Sequence, residues 1–130
     1  MSVPDEMLEF NDDQSCLFEG KLFTGLAFRD FPDGSRESET EYLDGFQTGH
    51  EKRWARNGIL VADYSFLKGE LHGESREWYE AGQLKSEAQY ELGIELAYRS
   101  WDESGNLEVN RRLEAGTPHE RMLNQKRAAL

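Results

Sequence analysis

Hydrophobic and polar positions alternate along this chain in short runs, and the runs recur. Stepping back 24 residues from Phe66 reaches Tyr42, another such step reaches Phe18, and a step forward reaches Tyr90. Glycine keeps the same interval: Gly25, Gly49 and Gly73 form one column, Gly34, Gly58 and Gly82 a second, each 24 apart. Two independent columns agreeing on one period mark a repeat protein. Trp54 and Trp78 also lie 24 apart, and Trp101 stands four residues before Gly105. The runs flanking each turn glycine have a period of two, which is that of a strand. Asp33-Gly34 and Asn57-Gly58 predict two-residue hairpin turns, since the favoured turn needs positive φ at both central residues. Each repeat is expected to be a β-hairpin.

In the strand after the turn, Leu60, Ala62, Tyr64 and Phe66 are expected on one face, followed in the next repeats by Leu84, Ser86, Ala88 and Tyr90, then Leu107, Val109, Arg111 and Leu113. The opposite face carries Glu37, Glu39 and Glu41, then Val61, Asp63 and Ser65, then Lys85, Glu87 and Gln89. One apolar and one charged face follow. With its ring on the apolar face a tryptophan would remove about 200 Å² from water, on the order of 5 kcal/mol by area. Trp78→Ala is then the substitution expected to harm the fold most.

The ends of the pattern degrade. Asp30 stands where the first repeat should have a tryptophan, and Ala97 replaces the second spacer glycine of the last. Such atypical repeats are usual at the termini of an array. Residues 1–17 read as an acidic segment with a degenerate first hairpin around Asn11-Asp12-Asp13, or as disorder up to Pro4. Residues 18–116 form the array of about four repeats. Thr117-Pro118-His119-Glu120 supplies an N-cap threonine, a first-turn proline and a glutamate three after the cap. Residues 117–130 are therefore a short helix, expected to cap the array and cover its open edge, with binding of a partner by this helix as the alternative. The fold class is mainly β: a single-layer antiparallel meander of repeated β-hairpins with a short C-terminal helix.

Composition narrows the partners. The formal net charge is -11, from 26 acidic against 15 basic residues. Such a surface repels nucleic-acid phosphates and anionic membranes and attracts a cationic partner. Cys16 is the only cysteine, which rules out an intrachain disulfide and makes a cytoplasmic setting the default. The start, MSVPDEMLEFNDD, has neither the basic end nor the apolar run of a secretion signal, so none is expected.

The order Gly-x-x-x-Gly, Trp-Tyr-x-x-Gly-x-Leu and a closing aromatic, best seen in GELHGESREWYEAGQLKSEAQY from Gly69 to Tyr90, resembles the MORN repeat, in particular the variant found in bacterial antitoxin-like proteins. Gly45 to Phe66 fits well, Gly93 to Leu113 less so, and Gly20 to Tyr42 least. The resemblance implies a twisted meander of hairpins that serves as a scaffold or protein-interaction surface, with no activity of its own.

No chemistry competes with that reading. His50, His72 and His119 have no second ligand at a metal-binding spacing. His72-x-Glu74 matches a fragment of the deaminase signature whose cysteine pair is missing. Cys16 reads as a buried structural thiol. The spacer glycines lack the lysine and hydroxyl of a phosphate loop. No catalytic residue, metal or cofactor is expected. The expected function is a non-catalytic protein-protein interaction module, of antitoxin or immunity type, that binds a basic protein through the polar sheet face. Its charges are Glu37, Glu39, Asp63, Glu77 and Glu87, with Tyr79 and Tyr98 as exposed anchors. Two other readings stay open: a self-associating scaffold, and a carbohydrate-binding module with exposed tryptophans. The oligomeric state is not legible.

Overall fold

The computed structural model describes residues 1–130. The chain forms β1 (Ser2–Pro4), a 3-10 turn at Asp5–Met7, β2 (Glu9–Phe10), β3 (Cys16–Phe18), β4 (Lys21–Leu22), β5 (Gly25–Asp30), β6 (Arg36–Leu43) and β7 (Phe46–Trp54). It continues as β8 (Leu60–Leu67), β9 (Glu70–Leu71), β10 (Gly73–Trp78), β11 (Leu84–Glu91), β12 (Ile94–Trp101), β13 (Leu107–Arg112) and α1 (Pro118–Ala128). One large sheet runs β1-β5-β6-β7-β8-β10-β11-β12-β13, with β9 pairing β8, while β2, β3 and β4 make a small second sheet. From β5 onward the large sheet is the expected antiparallel meander.

The start of the chain departs from expectation. β1 is ordered and parallel to β5, with Val3 in register with Ala27 and the Leu26 N–H donating to the Met1 carbonyl at 2.9 Å. Val3 is buried, and burying it offsets the entropy of ordering the first residues. Val3, Cys16, Phe23 and Ala27 form the core cluster, with Leu8, Phe18 and Tyr42 packed against it. The clustered core therefore sits under the first strands, and along the repeat the buried apolar residues are small or isolated: Ala62, Ala88 and Ile94.

Two kinds of turn alternate. The two-residue turns with positive φ at both positions are Glu19-Gly20, Asp44-Gly45, Lys68-Gly69 and Leu92-Gly93, which are spacer positions. The turns expected to be of this kind are longer. Phe31 N–H donates to the Ser35 carbonyl and Gly34 N–H to the Phe31 carbonyl, which closes a three-residue loop with only its last residue left-handed. The same pair of bonds recurs at Ala55–Ile59, Tyr79–Gln83 and Asp102–Asn106, and again at Asn11–Ser15, where Gln14 takes the glycine's place. That last loop is the degenerate hairpin of residues 1–17. The two-residue turns stack through Gly45 N–H to Phe23, Gly69 N–H to Gln47 and Gly93 N–H to Leu71 carbonyls, each 2.8 Å.

A side chain reinforces each of these steps: Asp44 N–H donates to Thr24 Oγ1, Lys68 N–H to Thr48 Oγ1, and Leu92 N–H to His72 Nδ1 at 3.0 Å. His72 is thus the threonine of its repeat and has a structural task. His72→Thr is expected to be neutral in urea denaturation, whereas His72→Val, which keeps bulk but no acceptor, should cost about 1 kcal/mol.

The faces also differ from the simple alternation. Each long hairpin contains a β-bulge, with the register shifting at Arg29/Asp30, Arg53/Trp54, Glu77/Trp78 and Ser100/Trp101. The extra residues opposite are Glu37, Val61, Lys85 and Glu108. A bulge displaces the period-2 phase by one residue. Leu60 and Leu84 consequently pair with Trp54 and Trp78 on the charged side of the sheet, apart from Ala62 and Ala88. Arg36, the equivalent of those leucines in the first repeat, reaches Glu39 at 2.6 Å and stacks over Phe28 on that side. Trp78 lines a hollow with Asp63 and Arg76, and the Arg99 guanidinium lies 5.6 Å from the Trp101 ring. The tryptophans are only half-buried, and the apolar face expected for them does not exist.

Helix α1 forms as its capping signals predict, with Glu120 N–H donating to Thr117 Oγ1 and Glu120 Oε2 accepting from Gly116 N–H. It caps the array from a different side than expected. Arg127 makes a two-bonded pair with Glu91 at 2.6 and 2.7 Å, and Lys126 Nζ reaches Glu70 and the Leu92 carbonyl, both at 2.5 Å. The helix thus closes the stacked two-residue turns and leaves β13 an open, fully exposed edge. Hydrogen bonding to Arg127 holds the Glu91 carboxyl below its usual range. A depressed native value means the pair's contribution is complete above the unfolded value, about 4.3. It is lost as pH falls through the lower native value. Proteolysis near Gly116 should therefore accelerate at pH 3 relative to pH 6 in wild type, and this acceleration should be smaller in Glu91→Gln.

Candidate functional site

Residues in register across paired strands share a face. On one face the register runs Phe28, Glu39, Lys52, Asp63, Arg76, Glu87, Arg99, Asn110, one residue from each strand from β5 to β13 except β9. From Glu39 to Arg99 the charges alternate in sign. Glu87 lies between two guanidiniums, with Arg76 Nε at 3.7 Å and Arg99 also in contact. Asp63 takes the His50 ring at 2.7 Å. Cross-strand pairs of opposite charge stabilise a sheet by roughly 0.2–1 kcal/mol each. Three of the residues expected to attract a basic partner, Glu39, Asp63 and Glu87, thus have cationic side chains as their neighbours in register.

The other face is different in kind. Its floor is small and buried: Ala27, Ala62, Ser75, Ser86 and Ala88. Over that floor stand Tyr42, Tyr64 and Tyr98, with Glu51 and Glu77 between the strands. Tyr64 donates its hydroxyl to Glu77 Oε2 at 2.5 Å, and Ser86 donates to Glu77 Oε1 at 3.0 Å. Burial and the Glu77 carboxylate raise the Tyr64 phenol well above its usual value, and burial together with Cys16 and Glu51 pushes Tyr42 up to about 12. Both remain neutral hydrogen-bond donors throughout the physiological range. Glu77 has no cationic partner.

At its first strands this face becomes a groove of about 500 Å³. The segment carrying Asp5, Leu8 and Phe10 forms one lip, and Phe31, Glu37 and, from the end of β7, Trp54 complete the lining. Phe10 is 61% exposed, the large apolar side chain of the groove that is most open to solvent. Arg29 and Arg53, which also line it, are tied to Asp5 at 3.0 Å and Glu51 at 3.2 Å. Glu37, the bulge residue, is unpaired. Phe10 and Trp54 were missing from the expected site because the groove arises where the N-terminal segment folds back over the sheet.

The seven expected partner residues are therefore dispersed. Glu37 lies in the groove, Glu39, Asp63 and Glu87 in the charge ladder, and Glu77 and Tyr98 on the tyrosine face. Tyr79 is half-buried and donates its hydroxyl to the Trp101 carbonyl at 2.7 Å, so it is held in the packing. Cys16 is fully buried, and burial raises its thiol pKa. No three His, Cys, Asp or Glu side chains are placed to hold a metal ion, and no helix is long and apolar enough to cross a membrane.

With this geometry in view, the protein-family comparison is specific to one repeat. The family described as MORN repeat variant matches residues 71–92. A MORN-variant repeat is present in this chain. It spans β10 and β11 with their bulge and three-residue loop, the hairpin whose pattern is clearest in the sequence. No curated protein and no solved structure matches the chain.

Proposed function

We propose that this MORN-repeat protein is a non-catalytic protein-interaction module that holds a basic partner against the tyrosine face and groove, as an antitoxin- or immunity-type protein would. The observation that carries this reading is the asymmetry between the faces. On the ladder face Glu39 and Glu87 are paired with arginines, while Glu37 and Glu77 have no cation and stand beside aromatic side chains that can anchor a partner. The net charge of -11 favours encounter with a cation-rich surface.

The test is affinity capture at low salt by the full chain, repeated with two variants. Glu37→Lys with Phe10→Ala alters the half-buried and the exposed residue of the groove, and Glu39→Lys with Glu87→Lys alters the ladder. A basic protein held by the wild type should be released by salt and should lose about tenfold or more in affinity, about 1.4 kcal/mol, to the groove variant alone. Equal capture by the wild type and the groove variant overturns the assignment of the surface. Capture of no basic protein overturns the proposed partner.

A further inference from the structure

The open edge of the sheet has a definite chemical character. Leu113 N–H donates to the Leu96 carbonyl at 2.9 Å, and the register pairs Ala97 with Arg112 and Arg99 with Asn110. Backbone direction alternates along a strand, so the N–H and C=O of Asn110 and Arg112 point away from β12 and have no strand to meet. All six residues of β13 are exposed, Leu107 by 54% and Val109 by 36%. At the other end of the sheet β1 is only three residues long and ends in Pro4, which blunts its edge. β13 has no such protection, and α1 docks elsewhere.

Side chains state which strand fits. Beside the edge, on the ladder face, lies a cleft of about 450 Å³ between Gln89, Arg99, Asn110 and Arg112, hollowed by the small Ala97. Arg99 is satisfied by Glu87, but Arg112 has no carboxylate partner. Arg112 stands on this face opposite the small Ala97 with its charge unanswered, so a residue beside it on an added strand should be an acid. On the opposite face a neighbour of Val109 should be apolar.

We propose that β13 is the docking edge for an extended acidic segment of a partner protein, alternating carboxylate and apolar residues, which adds as the next strand of the sheet. Backbone bonds to Asn110 and Arg112 supply affinity, and the carboxylate at Arg112 supplies selectivity. This edge lies at the far end of the sheet from the groove, so groove variants leave it intact.

The test is fluorescence anisotropy of the full chain with two labelled peptides, one alternating valine and glutamate, the other valine and lysine. The acidic peptide should bind at least about tenfold more tightly, a difference of about 1.4 kcal/mol. Asn110→Pro removes an outward N–H and keeps the bonds to β12, so the fold should persist by circular dichroism while binding is lost. Arg112→Glu, a surface change, should reverse the preference between peptides. Equal binding of both peptides, no binding of either, or binding unchanged in Asn110→Pro overturns the proposal. A wild-type dimer by light scattering that Asn110→Pro dissolves also overturns it, because the edge is then occupied by a second copy.

Discussion

Phe23→Ala is expected to lower the unfolding free energy by about 3–5 kcal/mol, the largest loss from any single side-chain truncation in this chain. Phe23 is 1% exposed and is the largest fully buried side chain. Its ring meets Phe18 edge-on at 6.1 Å and Tyr42 at 5.7 Å, and it closes over the cluster of Val3, Cys16 and Ala27. Few neighbours can move to fill the space, because Gly25, whose Cβ would lie 3.1 Å from the ring, and β1 are held by the backbone of β5. A domain of this size has roughly 5–15 kcal/mol in total. The variant should therefore unfold at a much lower urea concentration, with β1 and the small sheet losing hydrogen-exchange protection first. Trp78→Ala should cost less, about 1–2 kcal/mol, since the half-buried Trp78 already meets water on the ladder face. An equal or larger loss for Trp78→Ala would contradict this placement of the core.

Leu123→Ala is expected to release α1 from the sheet, at about 2–4 kcal/mol of docking free energy. Leu123 is 1% exposed and is the one buried residue of the helix. The other contacts that hold α1 are polar: the ion pairs of Lys126 with Glu70 and Arg127 with Glu91, with side chains between a quarter and a half exposed, and the bond from Lys126 to the Leu92 carbonyl. Exposed pairs of this kind contribute little individually. An eleven-residue helix is also marginal once detached. Limited proteolysis should then cut near Gly116 in the variant while β5 to β12 stay protected. A variant whose helix resists protease as well as the wild type would show that the ion pairs suffice.

The repeat was legible because its signals are local. Glycine columns, Trp78-Tyr79 before Gly82, and the capping residues around Thr117 each report on a few neighbouring residues, and the hairpins and helix formed where they pointed. What misled was the assumption that alternation continues unbroken. One extra residue in each long hairpin, Glu37, Val61, Lys85 or Glu108, reverses the phase, and nothing in a period-2 pattern marks where a bulge will fall. The expected acidic residues are dispersed for a related reason. Glu39, Asp63 and Glu87 were visible in the chain, but Lys52, Arg76 and Arg99 became their neighbours only through the register of six strands. The groove that Phe10 lines formed only when residues 1–10 folded back.

The sequence by itself determined the unit of this protein, its period, the positions of its hairpin turns and its terminal helix, since each depends on dihedral preferences and capping within a few residues. Tertiary structure alone decided where the core lies, which face is neutral and which edge is open. Those properties belong to pairs of residues brought together across strands, and the free energy of a charge or a buried ring depends on that company.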